Sequence, residues 1–274
     1  MARLSTLKPY VPKPLWQAGR SLWTGLHFAT QYPSARWHPL RRDSIRKLAA
    51  LKDRHRGERC FIIGNGPSLK QTDLSLLRGE CTFGMNRIYL LFDELGFTTT
   101  YYVSINNLVI EQCSPEIRAL PIPKFLSWRA RTLIEPTEDV IFLHTTYNGP
   151  KFARDARGRL WEGATVTYVA LQLAFHMGFS PVVLIGVDHN FTTRGKPNTT
   201  VVSQGDDVDH FHTAYFGKGF RWQLPDLETS EMAYRMARQA YEAAGRQVLD
   251  ATIGGKLTVF PKVDYFSLFT NRIS

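Results

Sequence analysis

Residues 59–69 read Arg59-Cys60-Phe61-Ile62-Ile63-Gly64-Asn65-Gly66-Pro67-Ser68-Leu69, an apolar run that stops abruptly at a turn. The run has the length and character of a buried strand. The turn has two glycines around an asparagine, so its backbone can take positive φ and approach a ligand closely, while the Ser68 hydroxyl suits a helix cap or a phosphate. In an open α/β sheet the place just beyond the carboxyl end of the first strand is where nucleotides bind. Gly64, Asn65, Gly66, Pro67 and Ser68 are therefore nucleotide-binding candidates. The same glycines also serve a tight turn for its own geometry, and both readings stay open.

The pattern repeats downstream. A strand over residues 81–85 ends at Asn86-Arg87, a helix over 88–95 stops at Gly96, and a strand over 100–105 ends at Asn106-Asn107. A capped helix is expected over 43–51, a short helix over 71–78, further strands over 123–128 and 139–143, and a polar, basic surface loop near the site mouth over 151–159. Gly163-Ala164-Thr165-Val166-Thr167 opens an apolar helix over 168–177, and its glycine and threonines suit an anion. The most apolar run, 181–187, reads as a central strand with Asp188 at its end. Strands alternating with helices at this spacing predict an α/β, Rossmann-like, mostly parallel sheet flanked by helices. Asn86, Asn106, Thr165 and Asp188 then converge on one crevice, although each asparagine also suits a helix cap.

Residues 189–224 are polar, rich in Gly, Thr, Asp and His, and show no clear periodicity. Such a segment predicts a functional lid. Its middle holds Asp209, His210, His212 and Tyr215. Asp209, His210 and His212 carry metal-donor atoms without any specific metal spacing, whereas one histidine on a closing lid suits general acid or base work. A helix over 226–244, a last strand over 247–250 and an aromatic tail complete the chain.

The 274 residues carry a net charge of +10, which points to an anionic partner such as a phosphorylated or acidic substrate or a membrane surface. Much of that charge lies in a basic, aromatic arm over residues 1–57, ahead of a nucleotide-binding domain over 58–274. The arm either lies in an anionic bilayer interface or packs on the domain or on a second subunit as a homo-oligomer. No nucleic-acid-binding module is recognisable. Nor is there an apolar stretch near the roughly 20 residues of a membrane-spanning helix. Three cysteines without metal-ligand spacing and the lack of a signal-peptide pattern predict a cytoplasmic protein.

Residues 61–69, 85–89, 163–179 and 186–188 resemble the Rossmann-like superfamily that groups archaeal 6-hydroxymethylpterin diphosphokinases with bacterial glycosyltransferases. The latter are typified by CMP-sialic-acid and flagellin-modifying nonulosonate transferases. The pterin kinases hold magnesium and the ATP phosphates with an acidic motif after the third strand, where this chain reads Ser104-Ile105-Asn106-Asn107. Amides in place of carboxylates deprive a phosphate-bridging magnesium ion of its hard anionic ligands. The resemblance therefore implies a transferase that uses a CMP-activated acidic sugar, or another nucleotide sugar, with no obligatory cofactor. Its acceptor is expected to be a glycan or a lipid-linked molecule. In that reading Asn65, Gly66 and Ser68 meet the phosphate and ribose, Asn86 and Asn106 the nucleotide-sugar, and Thr165 the nucleotide at the helix start. His210, or alternatively His212, takes the acceptor proton. Tyr215 or Tyr147 donates to the leaving phosphate, and Arg87 or the 151–159 loop holds the donor carboxylate. The alternatives are a pterin diphosphokinase using Mg2+ and ATP, and a non-catalytic nucleotide- or glycan-binding protein.

Overall fold

The structure is a computed structural model that describes residues 33–193 and 195–270. The chain divides into two compact units, Met1–Arg42 and Asp43–Ser274. The expectations for the arm fall largely on residues 1–32, outside the described residues. Helix α1 (Pro39–Leu51) belongs to the larger unit from Asp43 onward: Leu48 and Leu51 are buried in its core, and the Ser44 hydroxyl accepts the Phe142 amide at 3.0 Å. Asp43 is no cap. It sits a turn inside the helix and pairs with Lys47 at 2.8 Å.

The larger unit is built on an all-parallel sheet. Its strands are β1 (Cys60–Ile63), β2 (Cys81–Met85), β3 (Tyr101–Ser104), β4 (Lys124–Ser127), β5 (Val140–Thr146), β6 (Arg159–Trp161), β7 (Val182–Ile185) and, after a separate hairpin of β8 (Thr200–Val202) with β9 (Arg221–Gln223), β10 (Val248–Asp250). The order is β10-β7-β1-β2-β3-β4-β5-β6. In register, Cys60 lies between Cys81 and Val182, and Ile63 between Gly84 and Ile185. The four residues of β1, and likewise of β7, are all buried, as expected of strands covered on both faces.

Short helices α2 (Phe92–Leu95), α3 (Asn107–Gln112) and α4 (Ser114–Ala119) follow β2 and β3. Helix α5 (Val166–Met177) follows β6 and is buried from Thr167 to Met177. It is apolar all round because it packs between the sheet and helix α6 (Leu227–Glu242). Its one buried amide, Gln172, is fully used: Oε1 accepts from Ala153 N–H at 3.0 Å, and Nε2 donates to the Trp161 and Tyr168 carbonyls.

Three local expectations differ. Residues 74–77 form a single 3-10 turn capped by Asp73, which is too short for the helix expected over 71–78. The expected surface loop over 151–159 instead tucks Ala153 and Ala156 into the core and leads into β6 at the sheet edge. Its basic residues conceal these small apolar anchors in the sequence. The lid segment, expected to be irregular, contains the β8–β9 hairpin and buries Phe211, Tyr215, Phe216, Trp222 and Leu224. Among the described residues, no helix is long and apolar enough to cross a membrane.

His176 gives the fold a pH dependence. Its imidazole is buried, and Nε2 bonds the Leu48 carbonyl at 2.8 Å. Burial lowers its pKa despite the Leu48 bond and nearby Asp155. The unfolded chain takes up a proton here below about pH 6.5 that the folded state refuses, so stability falls with pH below that value. The melting temperature should drop between pH 7 and pH 5, and the slope should be flatter in His176→Gln, which can still donate to Leu48.

Candidate active site

The strand order places a topological switch between β1 and β7. The chain runs from β1 outward through β6, then returns as β7 on the other side of β1. The carboxyl ends of strands flanking such a switch diverge into a crevice. Here a cleft of about 250 Å³ opens, lined by Gly64, Asn65, Gly66, Asn86, Asn106, Thr165, Asp188, His210 and Tyr215 among others.

The floor depends on a close approach of two backbones. Gly64 N–H donates to the Ile185 carbonyl at 2.7 Å, and Gly66 N–H donates to the Gly186 carbonyl at 2.9 Å. A Cβ on Gly64 would stand 2.1 Å from the Gly186 oxygen, and one on Gly66 would stand 1.8 Å from Asp188 Oδ2. Both glycines are thus required by chain-to-chain contact before any ligand arrives. Ser68 lies behind the wall, with its amide donating to Asp188 Oδ1 at 3.1 Å and its hydroxyl to Oδ2 at 2.7 Å. Pro67 likewise stays out of the lining. An internal carboxylate therefore fills the place at the turn that a phosphate was expected to take. Burial raises the Asp188 pKa, and the two Ser68 bonds pull the other way.

The remaining anion-binding end is the amino terminus of α5. Ala164 adopts a left-handed φ of 57°, and Thr165 caps the helix by accepting from Thr167 N–H at 3.3 Å. Ala164, Thr165, Val166 and Thr167 all face the cleft. The first-turn amides and helix dipole favour negative charge there. Beside them Glu162, buried and lining the cleft, is paired with Arg129, whose guanidinium also covers the Tyr147 ring at 4.7 Å.

The ends of β2 and β3 supply amides. Asn86 has φ 51°, and its Oδ1 accepts the Ser104 hydroxyl at 3.1 Å. Asn106 caps α3 through Leu108 N–H at 2.9 Å and also lines the cleft, so it combines both expected roles.

The lid is fastened over this floor. Phe211 N–H donates to the Asn65 carbonyl at 2.9 Å. Arg87 does not line the cleft: it donates to the Ala214 carbonyl at 2.7 Å and to the Tyr215 carbonyl, with Phe220 under its guanidinium. It thereby clamps the lid. His210 Nδ1 bonds Asp207 Oδ2 at 2.8 Å. Asp207 itself accepts the amides of Asp209 and Phe216. The His210 ring is stacked on Tyr215 with centroids 4.1 Å apart. Burial pushes the Tyr215 phenol well up, so it keeps its proton at neutral pH. His212 is exposed and accepts the Ala214 amide. Asp209 accepts from the amides and hydroxyls of Thr192 and Thr193. Burial alone would raise its pKa, yet these donors hold it below the usual value. Asp209, His210 and His212 accordingly do not assemble as a metal-ligand set.

Sequence reasoning overlooked two groups. Asp207, the partner of His210, was signalled only by an aspartate three residues before a histidine. His189 lines the cleft at φ 53°, edge-on to Tyr234. Burial lowers its pKa against the pull of Glu231. Its signal was a histidine directly after the Asp188 strand end.

With this geometry in hand, comparison with known proteins gives a family. The 6-hydroxymethylpterin diphosphokinase MptE-like family matches residues 40–194, more than half of the chain. The chain belongs to that family. A solved MAf glycosyltransferase from Magnetospirillum magneticum AMB-1 is similar at 14% identity with a TM-score of 0.46. The match covers 83% of this chain and 39% of that one, so this MptE-like chain spans about two fifths of that protein's length. No curated protein matches it.

The glycine contact makes a sharp prediction. Gly64→Ala should destabilise the protein by about 2 kcal/mol or more, because backbone cannot retreat as a flexible side chain can. Gly205→Ala, where a Cβ meets nothing within 4 Å, should leave urea unfolding nearly unchanged.

Proposed function

We propose that this MptE-like protein is a cytoplasmic glycosyltransferase that takes a sugar from a nucleoside-monophosphate donor, with a CMP-activated acidic sugar as the leading candidate, and gives it to a glycan or lipid-linked acceptor. The observation that carries the reading is the pairing of His210, which lines the cleft, with Asp207. Asp207 engages Nδ1, which leaves Nε2 as the proton acceptor and stabilises the imidazolium that forms. In the reaction the bond from the anomeric carbon to the phosphate oxygen breaks, and its electron pair stays with the phosphate. The acceptor oxygen attacks the oxocarbenium-like centre, and its proton passes to His210 Nε2. The α5 amino terminus receives the charge growing on the phosphate. Tyr215, which lines the cleft beside His210 and Asn86, would supply a phenolic donor to the leaving phosphate.

The charge of the cleft weighs less against a single phosphate than against a triphosphate. Its described lining has no lysine or arginine and four carboxylates: Glu162, Asp188, Asp209 and Asp226. Each is already engaged, by Arg129, by Ser68, by Thr192 and Thr193, and by Thr229 and Asn198 respectively. A triphosphate with magnesium calls for free carboxylates and cations, and these residues do not fit that group. Family membership nevertheless keeps pterin diphosphokinase activity as the competing reading.

Thermal shift separates the two readings. CMP should raise the melting temperature without magnesium, whereas stabilisation by ATP with magnesium alone would transfer the assignment to the kinase. In a transfer assay His210→Gln should lower kcat by roughly 100-fold or more while leaving the CMP-induced shift intact. His212→Gln should retain activity. Loss of CMP binding and turnover together would count against a base role for His210.

A further inference from the structure

We propose that His55, Glu58 and Cys81 form a divalent-cation site of the zinc type at the amino ends of β1 and β2, the end of the strands remote from the cleft. One ligand atom from each residue lies within 4.8 Å of the others, the one grouping of this kind among the described residues. The imidazole is held in advance. Its Nε2 is 2.8 Å from the Tyr101 hydroxyl, and its face stacks on Phe179 with centroids 4.4 Å apart and planes 9° from parallel. Nδ1 is left toward Glu58 Oε2, at 2.8 Å. This is the arrangement of a metal-ligating histidine, whose second nitrogen is fixed by an outer partner.

The turn that carries His55 and Glu58 is equally fixed. Asp53, His55 and Gly57 donate their amides to the His176, Met177 and Gly178 carbonyls, and Ser180 N–H donates back to the Glu58 carbonyl. Three of these bonds are 3.0, 2.8 and 3.0 Å long, and the fourth is 2.9 Å. Cys81 stands on the first residue of β2, in register with Cys60. Two sides of the site thus come from packed backbone.

The donor set selects the ion. One imidazole nitrogen, one carboxylate oxygen and one thiolate suit zinc, while calcium and magnesium prefer oxygen alone. With Zn–N and Zn–O bonds of about 2.0 Å in a tetrahedron, Nδ1 and Oε2 must separate by roughly half an ångström beyond hydrogen-bond distance. Glu58 can move, because its side chain is more than half exposed. The Cys81 thiol gives its proton to solvent as the Zn–S bond forms, no electron is transferred, and water takes the fourth position. The bound ion ties the 52–58 turn to β2.

Cobalt titration of the metal-free, full-length protein tests the site. A thiolate-to-cobalt absorption in the near ultraviolet should saturate at one ion per chain and vanish on adding zinc. Cys81→Ser should abolish it, His55→Gln and Tyr101→Phe should each weaken binding about tenfold or more, and Cys113→Ser should retain it. A second measurement needs no variant: zinc should slow alkylation of Cys81, mapped by mass spectrometry, at least tenfold in the wild-type protein. Absence of the absorption, its persistence in Cys81→Ser, or an unchanged alkylation rate would overturn the proposal.

Discussion

The contact between the ends of β1 and β7 is the constraint on which the rest of the site depends. Gly64 and Gly66 bring one backbone against the carbonyls of Ile185 and Gly186 with no room for a side chain. That approach sets Asp188 against Ser68, which satisfies the turn's amide and hydroxyl from within the protein. It also carries Asn65 to the point where its carbonyl receives Phe211 N–H from the lid. Floor and lid are joined through one short turn.

Charge is distributed with similar economy. The chain as a whole is strongly basic, yet the described lining of the cleft is without lysine or arginine. Of its four carboxylates only Glu162 has a cation beside it, Arg129, while the others are held by neutral hydroxyls and amides, so the lining keeps an excess of negative charge. Against that charge, the aligned amides at the start of α5 are the lining's own source of positive potential. The excess positive charge of the sequence therefore speaks to surfaces outside the cleft.

Arg87 illustrates why residue type alone did not reveal role. An arginine after a strand end is a natural partner for a ligand carboxylate, but its guanidinium instead holds the carbonyls of Ala214 and Tyr215, residues far along the chain. Ser68 was similarly taken up by Asp188, and His212 faces outward while His210, two residues earlier, turns into the cleft. In each case a contact of large sequence separation assigned the side chain. Local pattern carries no information about such contacts.

What the sequence by itself determined is the alternation of apolar strands with capped turns, the parallel sheet, and the cleft position of Asn65, Asn86, Asn106, Thr165, Asp188 and His210. These follow from period, glycine placement and the rule that strand ends of a parallel sheet share one edge. The tertiary structure alone decided that Asp207 orients His210, that Arg87 clamps the lid, and that the 151–159 segment and β6 extend the sheet. It also brought His55, Glu58 and Cys81 together. The physical reason is that hydrogen-bond partners and packing neighbours are chosen by proximity in the folded chain, and proximity between distant residues exists only once the sheet order has been set.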